Sequence, residues 1–414
     1  MGTALFTAVT GLSTHQRRLD VIANNVANVN TTGYRGSRVF FQDQFSQTLE
    51  GAQAASGTFG GSNPSQVGLG VMLASIDTVF TQGSLVSTGV ASDLAIQGSG
   101  FFILSDGSAQ YYTRDGSFSL NANGQLIDSA TGLIVQGYLA DNLGVIDPNA
   151  IVEDIVIPVG ATSVVTATEN VILNGNLNSD AAAGDTILRT VRTYDSLGTA
   201  RDIVVTFTNT ANPDEWTWAA SSTDPDISAI TGTGTITFDT NGGVSSVTST
   251  TVSVDFDNTI VGLPTDPFEF DLDFTNVTHL ASDSDVAVQT QDGYPRGVLE
   301  SFNFSQNGQI NGVYTNGTAR VLGQIALASF ANNGGLVRVG DNMFRESPSS
   351  GLAQVGLAST GGRGSVSGGV LEGSNVDLAT EFSDLIITQR GYQANARTIT
   401  VADTMLQETV NLVR

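Results

Sequence analysis

The chain has 414 residues, 40% of them apolar and only 14% charged, with a formal charge of −24 and no cysteine. That length holds two to four domains with substantial cores. Disulfides, thiolate nucleophiles and cysteine-ligated metals are excluded, and an acidic body repels nucleic acid and anionic lipid.

At the N-terminus, Leu5, Val9, Leu12, Leu19 and Val26 recur at steps of four and three, with Gln16 and Ala23 in the same register. The spacing predicts a helix over 3–29, roughly 40 Å long. Its narrow apolar stripe needs a partner helix to cover it. Asn24, Asn25, Asn28 and Asn30 then weaken the helix, and Gly33 is a natural stop. Residues 35–70 read as irregular, with a short strand or helix around Phe40, Phe41 and Phe45. The Gly/Ser/Gln-rich part from Gly51 to Gly70 reads as an extended loop.

From Val71 to about Pro158 the pattern is β. Asp93–Gln97 alternates, Gly98-Ser99-Gly100 breaks the strand, and Phe101–Leu104 resumes it. Asp115-Gly116 and Asn123-Gly124 read as hairpin turns. Residues 160–283 form a second β region, rich in Thr and Val and strongly acidic. Trp216 and Trp218 fall on one face of a strand there, as core residues or as sugar-binding aromatics, and Asn241-Gly242-Gly243 is a turn. Strands return with Phe302, Phe304, Ile310, Val313 and Tyr314, turned at Asn307-Gly308 and Asn316-Gly317. Residues 346–373 are Gly/Ser-rich.

The last segment repeats the opening signal. Leu378, Phe382, Leu385, Tyr392, Ala396, Ile399, Leu406, Val410 and Val413 share a 4-3 register, with Gln389 and Asp403 at polar positions. A second helix over 375–413 follows, with Ser374 as its N-cap and Asp377 three residues on. The two seams imply that the ends meet each other or meet copies of the chain.

The expected fold is mostly β with terminal α-helices, in discontinuous nested domains. Residues 1–30 with 374–414 form a helical coiled-coil domain, and 31–70 with 346–373 form linker loops. Residues 71–159 with 284–345 form a β body, and 160–283 an inserted outer β domain.

No catalytic, metal or cofactor constellation emerges, so the chain reads as a self-assembling protein and not an enzyme. His15 and His279 fall on different domains, against a zinc site or a His-based triad. Asp271/Asp273 and Asp283/Asp285 lack EF-hand spacing and read as exposed acids. Gly98-Ser99-Gly100 has no following Lys and is no phosphate loop. No stretch approaches the ~20 apolar residues of a membrane span, and the start carries no ordinary cleaved signal.

Several short runs carry a resemblance. They are Leu19–Asn28 with Thr31-Thr32-Gly33-Tyr34, Val67–Val71, Phe80-Thr81-Gln82-Gly83, Asp93–Gly98 with Gly100-Phe101-Phe102, and Tyr112–Gly116. Gly373–Leu378 and Gln389–Ala396 complete the set. In this order they resemble the bacterial flagellar rod and hook family. The large insert, Tyr194–Gly198, Asp292–Gly297 and Asn332–Leu336 with Gly340-Asp341-Asn342 place the resemblance in its hook branch.

The resemblance implies a subunit that polymerises into a curved, flexible, hollow tube, which transmits motor torque from the rod to the filament. It implies terminal helices lining the channel and β domains outside. The implied partners are further copies, the rod, the hook cap, the hook–filament junction proteins and the type III export apparatus, with no cofactor. Its implied location is the hook, outside the outer envelope, after export without a cleaved signal. The motif residues carried over are Asn24, Asn25, Asn28, Gly33, Tyr34, Gln389, Arg390, Tyr392 and Asn395.

Gln16, Gln389 and Asp403 either restrict the helix registers or face the channel. Arg17-Arg18 either steer export, pair with a neighbour's acids or form a solvated face. The loop Ser46–Gln66 bears on the stiffness of the tube. A lone amphipathic helix is marginal, so the ends are expected to order only when sister molecules cover them. A distal rod or hook–filament junction subunit is the alternative, disfavoured by length and by the insert. A secreted β-rich adhesin or hydrolase would instead need a pocket of convergent polar groups.

Overall fold

The computed structural model describes residues 2–54, 57, 60–141, 144–160, 163–257, 262, 264 and 267–412. Among these the chain is mostly β, with one long helix at each end: α1 (Gly2–Ala27) and α2 (Leu378–Leu412). Two compact units emerge. Unit 1 comprises residues 1–157, 302–311 and 321–414, and unit 2 comprises 158–301 and 312–320.

Unit 2 shifts the expected domain boundary. The sequence pattern places residues 284–301 in the β body, but they group with the insert. The strand Ala287–Gln291 pairs antiparallel with Asn170–Asn178, which also pairs in parallel with Phe268–Leu280. A sequence boundary drawn at the acidic turn near Asp283 misses this, because the pairing spans more than a hundred residues.

Two five-stranded sheets face each other in this unit. One contains Ile227–Thr231, Thr251–Phe256, Phe268–Leu280, Asn170–Asn178 and Ala287–Gln291. The other runs Thr186–Tyr194, Ala200–Asn209, Glu215–Ser221, Thr233–Phe238 and Val244–Val247 in order. Strict alternation sends Phe268, Phe270, Leu272 and Phe274 inward against Phe207, Trp216 and Trp218. Both tryptophans are core residues and not a sugar platform.

In unit 1 the strands Phe101–Ser105, Gln110–Thr113, Ile134–Leu139 and Met343–Arg345, with residues 321–329, form the body sheet. Phe101, Ile103, Tyr112, Tyr138, Ala326, Ala328 and Phe344 form its core. Edge-on aromatic pairs stiffen it: Phe80–Phe101 at 5.8 Å and Tyr112–Phe330 at 4.8 Å.

The linker expectation for 31–70 and 346–373 is also corrected. Ser37–Asp43 pairs with Val71–Thr78, and Ser46–Glu50 with Ser65–Gly68. Ser365–Gly368 pairs with Leu94–Gln97, and Val370–Glu372 with Leu85–Ser87. Ser37–Asp43 is the short strand expected around Phe40 and Phe41, whereas Ser365–Gly368 and Val370–Glu372, whose partners lie hundreds of residues away, leave no local signature.

Turn chemistry was partly readable. Asn123-Gly124 and Asn241-Gly242-Gly243 close hairpins, with Gly124 and Gly242 at positive φ. Asp115-Gly116 does not, since the strands on either side of it pair elsewhere. Gly116 is needed because a Cβ there would overlap the Leu94 carbonyl. The cap of α2 also moves. Asp377, not Ser374, accepts from the Ala379 N–H at 2.9 Å and from the Thr380 hydroxyl at 3.0 Å.

Candidate functional site

The terminal helices pair with one another antiparallel, within a single chain. Arg18 bridges Asp384 at 3.1 Å, and Asn25 donates to Glu381 at 2.9 Å. Further along, Gly11 abuts Asn395 and Gly391 abuts His15, where any Cβ would collide. Ala8, Thr14, Ile22 and Asn25 on α1 and Thr388 and Ala402 on α2 are buried. The expectation that these ends order only among sister molecules therefore meets an intrachain pairing built from small and polar residues. A search for large apolar residues misses such a stripe; glycine, threonine and asparagine at 4-3 spacing is the signal that would reveal it.

The seam picked from the sequence lies beside this contact. Leu5, Leu12, Leu19, Val26, Leu385 and Ile399 are half-buried, whereas Val9, Leu378, Phe382, Tyr392, Leu406 and Val410 are exposed. Phe382 is 51% exposed and Val410 65%, and Phe6, Ile386, Ile387, Val401 and Met405 elsewhere on the pair are equally bare. Val413 lies outside the described residues. Gln16, Gln389, Asp403, Arg17 and Arg390 are exposed.

At the base of the pair sits a hydrogen-bonded joint that explains much of the motif. Asn25 accepts from the Ser37 N–H at 2.9 Å and donates to the Ser37 carbonyl at 2.8 Å. The Tyr34 hydroxyl donates to Asn24 at 2.7 Å, and Asn28 ties back to the Asn24 carbonyl at 2.9 Å. Gly33 sits at φ +65, and a Cβ there would lie 2.5 Å from the Asp115 amide. Thr32 donates to Asp115 at 3.0 Å, and Asn342 donates to the Thr32 carbonyl at 2.9 Å. Burial pushes the Asp115 carboxyl up, against hydrogen bonds from Ser117 and Thr32.

The centre of the joint is a buried charge cluster that pattern reading missed. Glu372 is fully buried and accepts from Arg35 at 2.7 Å, from the Gly83 N–H at 2.9 Å and from Arg114 at 3.1 Å. Arg35 also donates to the Thr81 carbonyl, and Arg114 to the Ile96 and Gly98 carbonyls. Burial lowers the Arg114 guanidinium to about 10, with Arg35 pulling the same way and Glu372 opposing. Asn375 completes the joint, accepting from Gly36 at 2.8 Å and donating to Val79 at 2.8 Å. Gly83, Arg114 and Asn375 belong to short runs that stood out in the sequence, whereas Arg35 and Glu372 lie one residue outside them. Nothing local says that residue 35 meets residue 372.

The remaining candidates have structural roles. His279, in unit 2, stacks on Phe238 and lies 3.5 Å from Asp214. Asp271 accepts from Thr251 at 2.6 Å, Asp273 from the Thr275 N–H at 2.8 Å, and Asp285 from the Asn176 N–H at 2.7 Å. No metal-ready cluster occurs among the described residues. No described helix is long and apolar enough to cross a membrane. Gly98 and Gly100, both at positive φ, break a strand.

His15 gives the helix pair a pH dependence. Burial lowers its pKa below 6.5, and Arg18 adds to the effect. The separated helices therefore bind protons more readily than the paired ones, so pairing is fully favoured above the ordinary histidine pKa and weakens as pH falls through it. Protection of the α1 amides, taken relative to their intrinsic exchange rates at each pH, is expected to fall as pH drops through the ordinary histidine pKa, and His15→Phe to remove that response.

Four family models match along the chain. "Flagella basal body rod protein" matches residues 5–35, and "Flagellar hook protein FlgE/F/G D1 domain" residues 95–172. "Flagellar basal body protein FlaE D2 domain" matches 166–294, and "Flagellar basal body rod FlgEFG protein C-terminal" 367–412. The chain is 38% identical to the flagellar hook protein FlgE of Treponema pallidum, covering 99% of both chains. It is 35% identical to that of Escherichia coli strain K12, covering 98% of both. The crystal structure of Helicobacter pylori flagellar hook protein FlgE2 shares the fold, with a TM-score of 0.50 at 15% identity. That match covers 68% of this chain and 98% of the other.

Proposed function

The chain belongs to the flagellar hook protein FlgE family and is a structural subunit of the flagellar hook, and from that premise we propose how it assembles. The family is structural, and its members self-polymerise and associate with flagellar components. The observation that carries the proposal is the bare apolar stripe on the paired helices. Val9, Leu378, Phe382, Tyr392, Leu406 and Val410 are exposed to water on a pair that already has its internal contact. Leu5, Leu12, Leu19, Val26, Leu385 and Ile399 flank that stripe, half-covered. The stripe is the assembly seam, and copies of this chain cover it.

A seam on one side of a subunit meets a different surface of the next. Such heterologous contacts generate an open helix when the rotation does not close. The product is a hollow, curved, flexible tube with the helices innermost, carrying motor torque from the rod to the filament. Gln389, Arg390, Tyr392 and Asn395 sit on or beside this seam. The subunit travels through the type III export apparatus without a cleaved signal and assembles outside the outer envelope. Rod, hook cap and hook–filament junction proteins meet the tube at its ends.

Electron microscopy of the purified chain under polymerising conditions is the direct test; tubes are expected, and persistently monodisperse protein would refute the reading. Excision of the unit 2 sandwich sharpens it. The chain enters at Glu169 and leaves at Asp292, whose carboxylate accepts from the Glu169 and Asn170 amides at 2.8 and 3.0 Å. Replacing 169–292 by a short Gly-Ser link therefore closes a preformed junction. The shortened chain is expected to form tubes of altered curvature, and unchanged bending would show that the sandwich has no mechanical part.

A further inference from the structure

The seam on α2 carries a charge. Asp403 shares its register with Leu385, Tyr392, Ile399, Leu406 and Val410, and it is exposed in the single chain. Among the described residues its side chain meets only Gln407, one turn on, which donates to it at 3.3 Å. No basic residue stands three or four positions away, the spacing at which helix side chains meet. When a neighbour covers the apolar seam, Asp403 loses its water too. A carboxylate buried without a counter-charge opposes the contact that the apolar residues favour.

The chain has no lysine, so a counter-charge from a second copy is an arginine. Of the arginines described on the helices, Arg18 is engaged by Asp384 at 3.1 Å. Arg17 has Asp20 three residues on. Arg390 and Arg397 are different. Both are exposed, neither forms an ion pair among the described residues, and neither has an acid three or four positions away. Their seven-residue spacing puts them in one stripe, roughly 120–140° round α2 from Asp403 at about 100° per residue. That stripe faces away from the Asp403 of its own chain.

We infer that Asp403 of one copy pairs with the Arg390–Arg397 stripe of the next. This deepens the hook reading and rests on it. The two surfaces differ, so the contact is heterologous and propagates. It also fixes how far neighbours are offset, since equivalent helices in a helical tube run the same way. Arg397 on Asp403 shifts them by about 9 Å and Arg390 on Asp403 by about 20 Å, at ~1.5 Å per residue. An apolar seam alone tolerates many registers; a charge within it tolerates few.

The test swaps charges in the full-length chain. At low salt, Asp403→Arg is expected to raise the critical concentration for polymerisation at least about tenfold. Asp403→Arg combined with Arg397→Asp, or with Arg390→Asp, reverses the pair. One of these combinations is expected to return the critical concentration to within about threefold, and the one that does so identifies the partner. All these side chains are exposed in the monomer, and amide protection along α2 checks that the helix pair is intact. Normal assembly of Asp403→Arg would place Asp403 on the channel wall, and a loss that neither combination recovers would remove the arginine stripe. Either result overturns the inference while leaving the hook reading intact. Failure of the unsubstituted chain to polymerise overturns both.

Discussion

Replacing Glu372 by Ala is expected to dismantle the joint between the helix pair and the β body, at a cost of about 3–5 kcal/mol. The side chain is wholly buried and is the carboxylate that both Arg35 and Arg114 reach. Removing it leaves two guanidiniums in a medium that already lowers Arg114 to about 10, and arginine does not readily escape by losing its proton. The Gly83 amide loses its acceptor as well. Glu372→Gln keeps one acceptor and the shape, so its loss should be smaller though still large. Replacing Arg35, Arg114 and Glu372 together by methionine should cost less than either, because no unpaired charge remains.

The measurement has an internal control. Both tryptophans lie in the sandwich core of unit 2. Their fluorescence transition should stay where it is, while amide exchange around residues 25–37 and 372–381 accelerates by orders of magnitude. A parallel shift of both signals would mean that the units unfold together and that the effect is not local. Unchanged exchange at the joint would show that the cluster contributes nothing net.

Phe382→Asp combined with Val410→Asp is expected to leave the monomer almost unchanged and to abolish polymerisation at ordinary protein concentration. Both side chains are more than half exposed in the single chain, so little packing is lost there. In a polymer that covers them, each apolar side chain contributes about 1.5–3 kcal/mol. Losing two, and burying two carboxylates instead, raises the critical concentration by at least ~100-fold at 1.4 kcal/mol per tenfold. Sedimentation of the variant under conditions where the unsubstituted chain forms tubes is the readout. Normal tube yield would remove Phe382 and Val410 from the seam and move the assembly surface elsewhere on the helix pair.

Much of this architecture was legible because it is local. Alternation in Phe268–Leu280, the 4-3 steps in both ends and the Asn-Gly turns are short-range consequences of backbone geometry, and they fixed a β body between two helices. Trp216 and Trp218, two residues apart on one strand face, were readable as core for the same reason. The ordered short runs from Leu19 to Ala396 identified the family before any contact was known.

What only the tertiary structure decided are the long-range choices. Whether α1 pairs with α2 or waits for a neighbour depends on Gly11 meeting Asn395 and Gly391 meeting His15. Those residues carry no helical signal of their own. That Arg35, Glu372 and Arg114 form one buried cluster depends on strands such as Val370–Glu372 finding Leu85–Ser87. Hydrophobic period specifies which side of an element turns inward, but it is silent on which distant element arrives there. That is settled by close packing and by the cost of leaving a buried charge unpaired.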